Sequence, residues 1–160
     1  MADKRIYELT TVVPVLSTDY ILVESKSGGS YTTSSALLSS ISKAELVVAC
    51  SDETTDVAAA SGVTTFRMPY AMTLTDVRAS LTTAPVGSTF IVGINESGSS
   101  ILSTDLSIDS GEKTSTTAAT PAVISDSALA DDAEITIDVD QVGSTTAGAG
   151  LKVTLIGTRS

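Results

Sequence analysis

The sequence predicts an all-β protein, a jelly-roll-like antiparallel β-sandwich preceded by a small N-terminal segment that holds a β-hairpin and a short helix. From Glu45 onward, apolar residues recur at every second position, the period of a half-buried strand. Clusters of Gly, Pro, Asp and Ser interrupt these runs at short intervals. The runs are rich in β-branched residues, and the 160 residues include 24 Ser and 24 Thr. Such short, regularly punctuated strands are typical of a sandwich.

The N-terminal elements begin with a hairpin. Residues 19–24 predict one strand, the Gly28-Gly29 pair predicts a tight turn, and Tyr31-Thr32-Thr33 predicts the returning strand. A short helix is expected next, capped by Ser34 or Ser35. A unit of this size is too small to fold alone, so its apolar side chains must pack on the sandwich, on a sister subunit or on another protein.

Apolar residues of residues 1–44 are therefore the candidate attachment and trimer contacts. Those in the predicted helix form one stripe along it. The full set comprises Ile6, Leu9, Val12, Val13, Val15, Ile21, Val23, Leu37, Leu38 and Ile41.

Alternating runs predict the strands of the sandwich in order. In residues 72–81 the apolar phase moves from even to odd positions between Asp76 and Val77, which predicts a β-bulge there. Residues 134–140 alternate without a fault and place their carboxylates in water. Three further runs, residues 90–94, 106–108 and 151–155, also alternate. Together with residues 134–140 they predict the following buried residues: Phe90, Val92, Ile94, Leu106, Ile108, Ile135, Ile137, Val139, Leu151, Val153 and Leu155.

Turn signals between these runs separate seven or eight short strands. They include residues 84–87, 95–98, 109–111, 131–132 and 143–144. A jelly roll is the expected topology. An immunoglobulin-like sandwich is the alternative, which the absence of Trp and of a cysteine pair disfavours.

Charge divides the chain at the same place as the pattern does. The formal net charge is −10, yet residues 1–44 carry four basic and four acidic residues and are neutral. All of the net negative charge lies in residues 45–160, which carry fifteen acidic and five basic residues. We therefore expect two parts with different surfaces, an attachment and trimerisation segment (1–44) and a sandwich (45–160).

Composition makes several functional classes improbable. Without His there is no imidazole base, His metal ligand or Ser–His pair, so we expect no enzyme, no cofactor and no bound metal. The negative charge disfavours nucleic acid and anionic membranes as partners. No apolar stretch approaches the length of a membrane span, and the N-terminus lacks the apolar core of a signal peptide. A carboxylate-dependent glycosidase is the weakest hypothesis kept.

The N-terminal pattern of residues 4–41, with Lys4-Arg5-Ile6-Tyr7 at its start and Ala36-Leu37-Leu38 near its end, resembles the leading segment of many tailed-phage virion proteins. Residues 45–159, with Phe66-Arg67-Met68-Pro69-Tyr70, Ile94-Asn95-Glu96-Ser97-Gly98 and Gly150-Leu151-Lys152-Val153, resemble a β-sandwich domain of phage structural proteins. The resemblance implies a trimer attached to the virion. It implies no catalytic residues.

Several polar residues have both a functional and a structural interpretation. A candidate calcium site is suggested by five acidic residues, Asp131, Asp132, Glu134, Asp138 and Asp140. Strand alternation already explains the last three as a solvated face. For Asp109 to Glu112 a tight turn is preferred to a cation loop.

Four further residues are weighed in the same way. Cys50 ends an apolar run, so burial is preferred to thiol chemistry. One aromatic residue, Tyr70, does not make a sugar platform. Arg67 and Arg78 are interpreted either as partners in salt bridges across a subunit interface or as exposed cations beside a nearby carboxylate.

The function expected from the sequence is that of a non-enzymatic phage virion protein, a homotrimeric capsid cement or decoration protein that contacts the major capsid protein. Its location is the virion, on the capsid rather than the tail. The alternative is a tail-fibre or receptor-binding module that binds a host surface glycan.

Overall fold

The chain divides into two units, Met1–Ser42 and Lys43–Ser160, and the described residues of each contain antiparallel strands. The computed structural model describes residues 20–27, 30–37 and 43–159. The sandwich begins at Lys43, the first residue of a strand, two residues before the boundary expected from the charge pattern.

Strands β1 (Tyr20–Ser27) and β2 (Ser30–Leu37) pair antiparallel, from Tyr20 opposite Leu37 to Ser27 opposite Ser30. This register confirms the hairpin predicted around Gly28-Gly29, two residues that themselves lie outside the described ranges. The predicted helix start is wrong, because β2 continues through Ser34, Ser35 and Leu37. Pairing with β1 supplies backbone partners to these residues, whereas an isolated helix of about two turns is marginal in water.

Eleven strands follow in the second unit. The longer ones are β3 (Lys43–Ala49), β4 (Ala60–Arg67), β5 (Met72–Ser80), β6 (Phe90–Glu96), β12 (Glu134–Gln141) and β13 (Lys152–Arg159). The shorter ones are β7 (Ser99–Ser100), β8 (Leu102–Thr104), β9 (Leu106–Ile108), β10 (Val123–Ile124) and β11 (Ala128–Leu129), with one 3₁₀ turn at Ser115–Thr117. All pairs are antiparallel.

The sheet order is that of a jelly roll. One sheet has the order β11-β5-β13-β3, and the other has the order β4-β12-β6, with β7 and β9 on the far side of β6. Eight strands build the jelly roll, and they are counted from first to eighth along the chain: β3, β4, β5, β6, β9, β11, β12 and β13. In this count, the order across the first sheet is sixth, third, eighth and first. The second sheet holds the second, seventh, fourth and fifth. This arrangement confirms the predicted jelly roll and does not fit the immunoglobulin-like alternative.

The core lies between the two sheets and follows the predicted alternation. All the expected core residues are buried, with Phe90, Ile94, Ile135, Ile137 and Leu155 fully so. Among residues 43–159 no polar or charged residue is buried. The sandwich therefore closes its core with its own apolar side chains.

A β-bulge interrupts β5 close to the predicted position. Leu74 pairs with Gly157 and Asp76 pairs with Ile156, so Thr75 is the extra residue. The bulge lies one residue before the predicted place, and it explains why burial changes phase from Met72 and Leu74 to Val77 and Ala79.

Gly157 faces this bulge at very short range. A Cβ at Gly157 would overlap the carbonyl oxygen of Thr73 and would lie 2.9 Å from its carbonyl carbon. Glycine is therefore needed here because the backbone of β5 leaves no room for a Cβ, and not because of the backbone angle φ.

Candidate functional site

The predicted attachment residues lie mostly outside the described ranges. Ile21 and Val23 belong to β1, opposite Ala36 and Ser34, and Leu37 belongs to β2, opposite Tyr20. The remaining ones, Ile6, Leu9, Val12, Val13, Val15, Leu38 and Ile41, lie outside. The structure thus brings together the backbones of three of the ten residues, on one hairpin.

The acidic residues of the sandwich serve different local roles. Glu53 accepts from the Lys152 ammonium at 2.5 Å and from the Thr82 hydroxyl, which links the loop after β3 to the start of β13. The Lys152 hydrogen bond, followed by the Thr82 one, lowers the pKa of Glu53. Sequence reasoning missed this cluster, because Glu53 and Lys152 lie 99 positions apart in the chain.

Asp52 closes a turn in the same loop. Its Oδ1 accepts from the backbone N–H of Thr55 at 2.7 Å and of Thr54 at 2.9 Å. These hydrogen bonds, the Thr55 one first, lower the pKa of Asp52 to about 2.

We expect this turn to make the stability of the folded state depend on pH in the acidic range. A carboxylate whose pKa falls on folding stabilises the folded state above its unfolded pKa of about 3.9, and the stabilisation is lost as the pH falls toward 2. Asp52→Ala should therefore lower the Tm at pH 7, and the difference from the native chain should shrink between about pH 4 and pH 2. Calorimetry over this range measures it, with Asp131→Ala as an exposed control. A difference that stays constant with pH would contradict the role given to Asp52.

Asp138 does not lie on a purely solvated face, as the alternation had predicted. Its carboxylate is half-buried and accepts from the Gly62 backbone N–H at 2.6 Å and from the Asn95 amide at 2.7 Å. It therefore ties β12 to both neighbours, β4 and β6. Glu134 and Asp140 are exposed, as predicted.

Arg67 and Arg78 each pair with a carboxylate of their own chain. Arg67 reaches Glu134 at 3.6 Å and donates to the Asp132 carbonyl, while the Arg78 guanidinium lies 2.8 Å from Asp76. About half of each of these paired side chains is exposed, so each pair is worth at most about 1 kcal/mol. Both arginines therefore make the pairing with a nearby carboxylate that was one of the two interpretations.

Cys50 and Tyr70 have structural roles. The Cys50 side chain is buried, as predicted, and burial raises the pKa of its thiol, which disfavours the reactive thiolate. The Arg159 guanidinium lies 4.4 Å from the centre of the Tyr70 ring. This cation–π contact occupies one face of the ring.

The acidic clusters weighed for metals do not converge. In residues 20–27, 30–37 and 43–159, no group of three or more His, Cys, Asp or Glu side chains is placed to hold a metal ion. The turn preferred for Asp109 to Glu112 is confirmed by the Glu112 N–H, which donates to the Asp109 carbonyl at 2.9 Å, with Gly111 at a φ of 88°.

The described part of the chain has no helix long and apolar enough to cross a membrane. The chain matches no protein-family model, no curated protein and no solved structure.

Proposed function

We propose that this chain is a non-enzymatic structural protein of a phage virion, a homotrimeric decoration or cement protein of the capsid surface. Residues 1–42 would attach it to the major capsid protein and to sister chains, and the jelly roll would face solvent. The observation that carries this proposal is the completeness of the jelly roll within residues 43–159. Its eight strands, all within residues 43–159, enclose one core.

The jelly-roll strands all lie in residues 43–159, so we assign the apolar residues of the N-terminal unit to contacts with other proteins. A two-stranded hairpin is at best marginally stable alone, so β1 and β2 need further packing. Apolar residues in such a unit are typical of contacts between proteins. This division supports an anchor followed by a displayed domain.

The charge of the sandwich supports the displayed role. Residues 43–159 hold fifteen acidic and six basic residues, and none of these is buried. An acidic surface of this kind stays soluble and keeps neighbouring particles apart. It also disfavours binding to the packaged nucleic acid.

The trimer can be tested in solution. The full chain has a mass of 16.3 kDa, and light scattering at micromolar concentration should give about three times this mass. A monomer at that concentration would contradict the trimer, because the apolar N-terminal residues would then need no partner copy.

A further inference from the structure

A groove of about 380 Å³ lies on the second sheet, where β6 begins, β8 leads into β9, and β12 ends. Thr89, Ile91, Thr104, Asp105, Ser107 and Gln141 line it. The first five of these are half-buried. Its volume falls within the range of small-molecule sites.

A second β-bulge shapes one side of this groove. Val139 pairs with Val92 and Gln141 pairs with Ile91, so Asp140 is the extra residue of β12. Its carboxylate lies over Gly93, where a Cβ would come within 3.2 Å of Asp140 Oδ2. Bulges commonly redirect a side chain next to a functional site.

Asp105 and Asp140 differ from the hydrogen-bonded carboxylates of the sandwich. Within the described residues no N–H or O–H group donates to either carboxylate, and no cation pairs with either. Burial, followed by the charge of Asp140, raises the pKa of Asp105. Asp140 is exposed, whereas Asp105 is half-buried, and a half-buried carboxylate without a donor is costly to keep unless a ligand supplies the donor.

The lining also holds a second carboxylate, Asp109, whose Oδ2 accepts from the Ala119 N–H at 2.8 Å, and several neutral polar groups. The hydroxyls of Thr89 and Thr104 have no hydrogen-bond partner within the described residues. The Gln141 amide donates to the Thr89 carbonyl at 2.6 Å, and Ser107 donates to the Thr120 carbonyl at 2.9 Å. The groove therefore offers carboxylate acceptors, free hydroxyls and the aliphatic side chain of Ile91 in one place.

We infer that this groove binds a neutral saccharide. Sugar hydroxyls donate to carboxylates in short, charge-assisted hydrogen bonds, and they exchange hydrogen bonds with threonine hydroxyls in either direction. The C–H groups of a sugar ring pack against Ile91. Calcium would require six to eight oxygens, and the described residues offer no cluster of three acidic ligands. Anionic ligands are repelled by the Asp105 and Asp109 carboxylates of the lining and by the nearby charge of Asp140.

Saturation-transfer NMR on the full chain tests this inference, with D-glucose, D-galactose, D-mannose, L-rhamnose and N-acetyl-D-glucosamine as probes. At least one sugar should give a saturable signal. Asp105→Asn should weaken that binding about tenfold or more, because it removes a charged acceptor. Asp131→Asn, an exposed carboxylate outside the groove, should leave binding unchanged.

The Tm of Asp105→Asn separates a binding role from a structural one. It should stay at or above that of the native chain, because the substitution removes a half-buried charge without a donor. A lower Tm, equal sugar binding by Asp105→Asn, or no saturable signal from any of the five sugars would overturn the inference. A calcium-induced rise in Tm that Asp105→Asn abolishes would also overturn it, in favour of a cation site. No virion is needed, so failure here is distinguishable from failure of the proposed attachment.

Discussion

Deletion of residues 1–42 is expected to give a folded, soluble jelly roll that no longer joins the particle. The fold should survive because all eight sandwich strands and the core lie in residues 43–159. Attachment should fall to background, because the deletion removes every candidate contact. Circular dichroism and the Tm report on the fold, and co-sedimentation with capsids that lack the native protein reports on attachment.

Point variants sharpen this experiment. Ile6→Asp and Leu9→Asp should each weaken attachment strongly, since placing an unpaired carboxylate in a buried contact costs several kcal/mol. Asp131→Asn changes an exposed turn of the sandwich and serves as the matched control. Full attachment of the deleted chain, or loss of attachment in Asp131→Asn alone, would move the anchor into the sandwich.

Gly157→Ala is expected to destabilise the jelly roll strongly. The added Cβ would meet the Thr73 carbonyl and would lie 3.1 Å from the Leu74 Cα, both backbone atoms of the bulged strand β5. Backbone cannot move aside as a flexible side chain can, so we expect a loss of about 3 kcal/mol in the free energy of unfolding. Urea unfolding measures this loss.

Thr158→Ala supplies the comparison, because Thr158 is the next residue of β13 and is only half-buried. We expect it to cost less than about 1 kcal/mol. Equal losses of stability in the two variants would contradict this prediction. They would show that β5 can move away from β13 at the bulge and make room for a Cβ.

Much of the sandwich is predictable from local pattern, because a strand with one buried face must alternate. Ile135, Ile137 and Val139 illustrate this, since all three point into the core as predicted. The β5 bulge was also predictable from its change of phase. Its position was missed by one residue, because the phase change cannot distinguish Thr75 from Asp76 as the unpaired residue.

The errors arise where long-range pairing overrides local pattern. Ser34 or Ser35 was expected to cap a helix that carries Leu37 and Leu38 on one apolar stripe, but residues 34–37 pair with β1. The alternating pattern places Asp138 on the solvent-facing side of its strand, yet its carboxylate accepts hydrogen bonds from two neighbouring strands.

The groove could not be predicted from the sequence for the same reason. Asp105 and Asp140 are 35 positions apart, and only the order of β12, β6 and β9 brings them near one another. The Asp140 bulge carries no local signal, because the alternation before it is regular and Gln141 follows without a turn residue.

Heating particles that lack this protein tests the capsid role most directly. If the chain is a capsid decoration protein, such particles should still adsorb and infect, but they should lose infectivity at a lower temperature than complete particles. Adding back the full chain should restore heat resistance, and adding back residues 43–160 should not. Particles that keep their heat resistance and fail to adsorb to cells would contradict the capsid role and place the protein on the tail.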